Sequence, residues 1–169
     1  MKTLTEQLAN YAAYHRDRRN IRIHFIGIPL IVVAVAILLS RPVLAPIPFT
    51  PWLLSPALIL AVAASAYYLA LDRPLGLVMT LLMLGAAGLG AVVAEADTAT
   101  WLGWGCGLFV SGWALQFIGH YWEGKKPAFV DDLIGLAIGP LFVVAEMVFL
   151  LGLRRSLQDE IEARVGPLR

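Results

Sequence analysis

The chain has 169 residues, 59% of them hydrophobic and 15% charged, and its mean hydropathy is +0.75. That balance excludes an ordinary soluble domain and indicates an all-α integral membrane protein, read as one membrane domain over residues 1–169. A net charge of +1 offers nucleic acid no basic surface, and the single cysteine, Cys106, excludes a disulfide framework.

Residues 1–20 are polar and do not read as a signal peptide. Thr3 and Glu6 have the spacing of a capping box, so a helix is predicted to start near Leu4. Leu4, Leu8, Tyr11 and His15 then recur at helical spacing as one stripe, with Arg16, Arg18 and Arg19 at the far end. This is the pattern of an interfacial helix lying at lipid headgroups. His24 follows nine residues after His15. At about 100° per residue the two imidazoles point to opposite faces of a continuous helix. They converge only if the chain bends, and residues 17–20 are the predicted corner.

Five apolar segments approach the length of about 20 residues that a span requires: 24–40, 52–71, 75–94, 101–119 and 133–153. Together they make a helical bundle over residues 21–153. Pro29 is a predicted kink in the first, and Arg73-Pro74 a tight connection between the second and third. Gly85, Gly88, Gly90 and the Gly103-x-x-x-Gly107 pair predict close helix approach. The fourth segment ends in a polar stripe, Gln116, His120 and Glu123, at positions i, i+4 and i+7. Gln116 is placed to orient His120 by a hydrogen bond, and Glu123 to act as a ligand, a base or the partner of Lys125 or Lys126. Glu146 lies inside the fifth segment, where a carboxylate is a functional candidate unless it pairs with a cation such as Arg22.

The cations decide the topology. If all five segments cross, Arg41, Arg154, Arg155, Arg164 and Arg169 fall outside. If the fifth segment enters and returns, Arg41 is the one cation outside, and the positive-inside rule prefers that arrangement. The predicted break is Gly139-Pro140. The reading is therefore four transmembrane helices plus a broken or re-entrant fifth. Both termini face the cytoplasm, residues 154–169 form a cytoplasmic tail, and the membrane is a bacterial inner membrane. Under either topology His15, His24 and His120, the only histidines, share one side. Three imidazoles at an interface suit one borderline metal ion, iron or zinc, with positions left open for chemistry.

The motifs carry a resemblance. Tyr14-His15, Asn20, His24 and Pro29 are followed by Gln116-Phe117-Ile118-Gly119-His120, Glu123, Pro127-Ala128, Asp131-Asp132-Leu133, Gly139-Pro140 and Glu146. Over roughly residues 8–153 the chain resembles the membrane-embedded, iron-dependent 2-hydroxy fatty acid dioxygenases. Arg16 is a departure, standing where fungal members carry a second histidine. The resemblance implies an Fe(II) cofactor and α-oxidation, in which a long-chain 2-hydroxy fatty acid and O2 give the acid one carbon shorter. It implies His15, His24 and His120 as metal ligands, with Gln116 and Asn20 supporting them and Glu123 as base or fourth ligand. Arg22 or Lys125 would meet the substrate carboxylate. Three other classes compete. A di-iron hydroxylase needs more histidines than three, a haem carrier needs facing axial ligands, and a membrane scaffold or small transporter needs no metal.

Overall fold

The computed structural model describes residues 2–50 and 53–169. Seven α-helices account for most of them: α1 (Leu4–Ala12), α2 (Arg18–Ser40), α3 (Pro56–Leu71), α4 (Arg73–Ala94), α5 (Thr98–Glu123), α6 (Gly135–Leu150) and α7 (Arg155–Val165). A two-residue antiparallel ladder joins β1 (Ala45–Pro46) to β2 (Leu53–Leu54), and a 3-10 turn covers Ala128–Val130. The all-α class follows the prediction. The chain forms two compact units, Pro29–Gly112 and Met1–Ile28 with Trp113–Arg169.

Within the unit Pro29–Gly112, α3 and α4 form a hairpin turned by Asp72 alone. Its backbone N–H donates to Tyr68 O at 3.0 Å to close α3, and its carboxylate accepts from Leu75 N at 2.9 Å to open α4. Close helix approach occurs at Gly90, where an added Cβ would lie 2.6 Å from Ala36 O, and at Gly105 against Leu38. Gly85, Gly103 and Gly107, three of the predicted contact glycines, face open space instead. Among the described residues α2, α4 and α5, of 23, 22 and 26 residues, are long and apolar enough to cross a membrane. The second predicted segment is shorter than expected. Ser55 Oγ caps α3 by accepting from Leu58 N at 3.3 Å, and Leu53–Leu54 are drawn into the ladder. That leaves 16 helical residues, about 24 Å against a hydrocarbon thickness of about 30 Å. Its predicted start, Trp52, lies outside the described residues.

The other unit holds the polar chemistry. The capping box at α1 forms as predicted, with Thr3 Oγ1 accepting from Glu6 N at 3.3 Å and Glu6 Oε2 accepting from Thr3 N at 2.8 Å. The buried stripe Leu4, Leu8 and Tyr11 turns α1 onto its neighbours α6 and α7. The break in the fifth segment is real but displaced. α6 runs through Pro140, because losing one backbone donor does not stop an apolar helix that lacks water to satisfy its backbone otherwise. The chain turns instead at residues 151–154, where Gly152 (φ 74°) and Arg154 (φ 53°) take left-handed backbone. There α6 and α7 meet at 116°. The expected tail is thus largely helix, burying Leu157 and Ile161, four residues apart, on one face.

Candidate metal centre

The three histidines converge. His15 lies in the non-helical residues 13–17 between α1 and α2, so the predicted bend exists, slightly earlier than expected. α2 starts at Arg18 because Asp17 caps it, its Oδ1 accepting from Arg19 N at 2.8 Å. The Arg19 guanidinium on that carboxylate pulls its pKa down to about 2 and keeps the cap charged. His24 sits in the second turn of α2 and His120 in the last turn of α5. All three are buried, His15 completely. One ring nitrogen from each lies within 4.8 Å of the others.

Hydrogen bonding fixes how the rings are presented. His15 Nδ1 lies 2.7 Å from Tyr11 O and His24 Nδ1 lies 2.9 Å from Asn20 O, each four residues back. A carbonyl only accepts, so both rings carry their proton on Nδ1. The two Nε2 atoms are then left with lone pairs facing each other at 3.0 Å. That arrangement is repulsive unless a positive charge lies between or beside them. It is also how imidazole ligands are held ready for a metal, with the distal nitrogen tied to the backbone. Burial holds the His15 pKa well below the usual histidine value, so the ring is in its neutral, ligating form. Tyr11 stacks flat on His15 with ring centroids 4.2 Å apart, and Phe142 leans on both rings, so one side of the site is walled by aromatics. Nδ1 of His120 and Nε2 of Gln116 are buried with no hydrogen-bond partner. The expected Gln116–His120 hydrogen bond is therefore not made. Three neutral buried imidazoles, two of them pre-oriented, fit a single borderline metal ion.

Glu123 holds its carboxylate against the residues that follow His15. Its Oε2 accepts from Arg16 N at 2.9 Å, Asp17 N at 2.8 Å and Asn20 Nδ2 at 3.1 Å. Its Oε1 accepts from Arg16 N at 3.0 Å and lies 3.4 Å from the Arg169 guanidinium. The carboxylate is spent on the loop that carries His15. Asn20 links the parts, since its backbone carbonyl holds His24 and its side-chain amide holds Glu123. Arg22 is exposed, and the Lys125 ammonium donates to Ala13 O at 2.7 Å. Lys126 pairs with Asp131, which also accepts from the Tyr14 hydroxyl at 2.7 Å. The cation that acts on Glu146 is Arg16 rather than Arg22. A buried Arg16 was not legible as such; the signal available was its position beside His15, one residue before the cap.

The glycine before His120 has a steric reason. A Cβ on Gly119 would run into Asn20 Oδ1 and lie 3.4 Å from His24 Cε1. Gly119→Ala is therefore expected to push the Asn20 amide off Glu123 and to crowd the His24 ring, weakening metal binding at least tenfold or so. Metal titration of the variant checks this, and an unchanged affinity would contradict the contact.

A family profile described as "Mpo1-like: 2-hydroxy-palmitic acid dioxygenase Mpo1-like" matches residues 1–151, which include all three histidines. The chain belongs to this family. The 2-hydroxy-palmitic acid dioxygenase MPO1 of Saccharomyces cerevisiae is 31% identical to this Mpo1-like chain over 173 residues, covering 98% of the chain and 94% of the yeast protein. No solved structure matches the chain.

Proposed function

We propose that the chain is an Fe(II)-dependent dioxygenase that converts a long-chain 2-hydroxy fatty acid to the acid one carbon shorter. His15, His24 and His120 hold the iron. The observation that carries this reading is the pair of Nε2 lone pairs 3.0 Å apart, in a cluster of three buried imidazoles, within a chain of this family. Bound iron would supply O2 activation and chelation of the substrate's hydroxyl and carboxylate oxygens. The atoms balance without a co-substrate: the acid and O2 give the shortened acid, carbon dioxide and water, and the substrate provides all four electrons. The chain's own residues exclude water and hold the ligands. Tyr11 and Phe142 shield the cluster, and the Tyr11 and Asn20 carbonyls keep the imidazole protons on Nδ1. Gln116, buried and with its amide N–H groups unused, is a better donor toward substrate oxygen than Arg22 or Lys125.

We further infer that α2, α3, α4 and α5 cross the membrane and that α6 enters and returns. Two observations favour a return. The 116° bend after α6 sends α7 back onto α1, and residues 166–169 end beside residues 16–18. With the cation distribution, this supports a reading in which both ends and the histidines lie on the cytoplasmic face of a bacterial inner membrane. The acyl chain then stays in lipid while its polar head reaches the metal.

A haem carrier fits less well. Histidine ring centroids 4.5, 4.8 and 5.2 Å apart leave no room for a porphyrin between any two rings. Purified protein with Fe(II) and O2 is expected to shorten a long-chain 2-hydroxy acid by one carbon without 2-oxoglutarate. Mass spectrometry of the product checks it. Turnover that persists under chelation, or that requires 2-oxoglutarate, would refute the reaction.

A further inference from the structure

Residues 166–169 have no role in the chemistry so far described, yet they are joined to the loop that carries His15. Arg169 N donates to Arg16 O at 2.8 Å, and Arg18 N donates to Arg169 O at 3.1 Å. Residue 169 thus grips the chain on both sides of Asp17, through its N–H and through its carbonyl. The Arg16 side chain adds a third link. It is buried, its Nη1 donating to Gly166 O at 2.7 Å and its Nε to His15 O at 3.0 Å. One guanidinium thus ties the backbone of His15 to the backbone just after α7. The positive φ of Gly166 (83°) turns the chain out of α7 toward this loop. On its other flank the loop is held by Glu123, through Arg16 N and Asp17 N.

We propose that residues 166–169 are a positioning strap for the metal centre, a segment that, with the Arg16 side chain, fixes the loop on which His15 stands. The physical need is plain. His24 and His120 are on helices, whereas His15 lies on five non-helical residues; the N–H groups of residues 13–15 still reach α1 carbonyls, but from Arg16 onward the loop depends on groups distant in the chain. A ligand on such a loop wanders unless outside groups hold it, and metal retention depends on small displacements of a ligand. The Arg169 side chain is secondary here, being 69% exposed and 3.4 Å from Glu123. The backbone pairing and the Arg16 fork carry the strap.

The proposal rests on the metal reading, and the two are tested separately. Hydrogen exchange is measured on the metal-free protein in detergent, for the full chain, for a chain ending at Val165, and for Arg169→Pro and Arg169→Ala. Removing residues 166–169 is expected to speed exchange of the 16–18 amides at least about tenfold, leaving α3 and α4 unchanged. Arg169→Pro, which lacks the donor to Arg16 O, should move the same way. Arg169→Ala, which keeps both backbone bonds, should resemble the full chain. Unchanged exchange at residues 16–18 in the shortened chain and in Arg169→Pro would overturn the strap. Cobalt(II) then serves as the metal probe. The shortened chain and Arg169→Pro should release it to a chelator at least about tenfold faster, with an altered visible spectrum, and Arg169→Ala should not. Equal release rates and spectra would also overturn the strap. Cobalt retained by His15→Ala, His24→Ala and His120→Ala alike would instead overturn the metal reading and leave the exchange result standing.

Discussion

Alanine in place of His15, His24 or His120 is expected to empty the centre and to bring turnover to background in each case. With three ligands, loss of one leaves two imidazoles, too few to hold an ion against water or chelator. The expected loss of metal affinity exceeds the 10–100-fold that removal of a supporting hydrogen bond costs, since a ligand itself is gone. The three variants differ in a second respect. His24→Ala removes the group that faces His15 Nε2 at 3.0 Å, and so relieves a lone-pair repulsion in the metal-free protein. His120→Ala leaves that repulsion in place. Metal-free His24→Ala should therefore be the more stable of the two, although both lose the ion. Elemental analysis after purification, with a thermal melt of each metal-free variant, checks both statements. Full metal occupancy in all three would end the assignment.

How much of this was legible depends on which force decides each feature. The helices were, because 3.6-residue periodicity and apolar length are local properties. The capping box and the tight hairpin just before Arg73-Pro74 are local too. That His15 and His24 need a bend followed from angular arithmetic alone, and Asp17 as a helix cap then set where the bend ends. The displaced break in the fifth segment was not legible. Pro140 is the stronger local signal, but an apolar helix without water has nowhere else to place its backbone groups, so it continues to Leu150, just short of the polar residues after Leu153. The histidines came out as a group because their chemistry is scarce in an apolar chain. Their support did not, since it is made by main-chain carbonyls of Tyr11 and Asn20, which side-chain reading cannot see. The hydrogen-bond partners of Glu123 were not legible. Its spacing from His120 puts it on the right face, but its partners, the N–H groups of Arg16 and Asp17, lie 107 and 106 residues away in the chain. Residues 166–169 carry no motif and were read only as part of the tail.

Glu123 gives the sharpest remaining distinction, because a base and a brace fail differently. A base whose loss is purely catalytic lowers turnover and leaves metal retention and stability alone. A brace does the reverse first. The Glu123 side chain in its ion pair is fully buried, and its three shortest bonds, at 2.8, 2.9 and 3.0 Å, all go to backbone N–H groups of the His15 loop. Glu123→Ala leaves those donors and the Asn20 amide without an acceptor in a buried place. Breaking a buried charged group from its partners costs about 3–5 kcal/mol. At roughly 2–4 °C per kcal/mol for a domain of this size, the melting transition should fall by on the order of 10 °C. Glu123→Gln does not rescue it. The carboxylate accepts on both oxygens, so whichever way the amide is turned, its NH2 group meets another donor. Both variants should therefore lose metal faster and melt lower, with turnover falling in proportion to the metal lost. Turnover per bound metal, measured by iron content against product formed, decides the matter. If that ratio collapses while the melting temperature and iron content hold, Glu123 is a base and the brace is wrong.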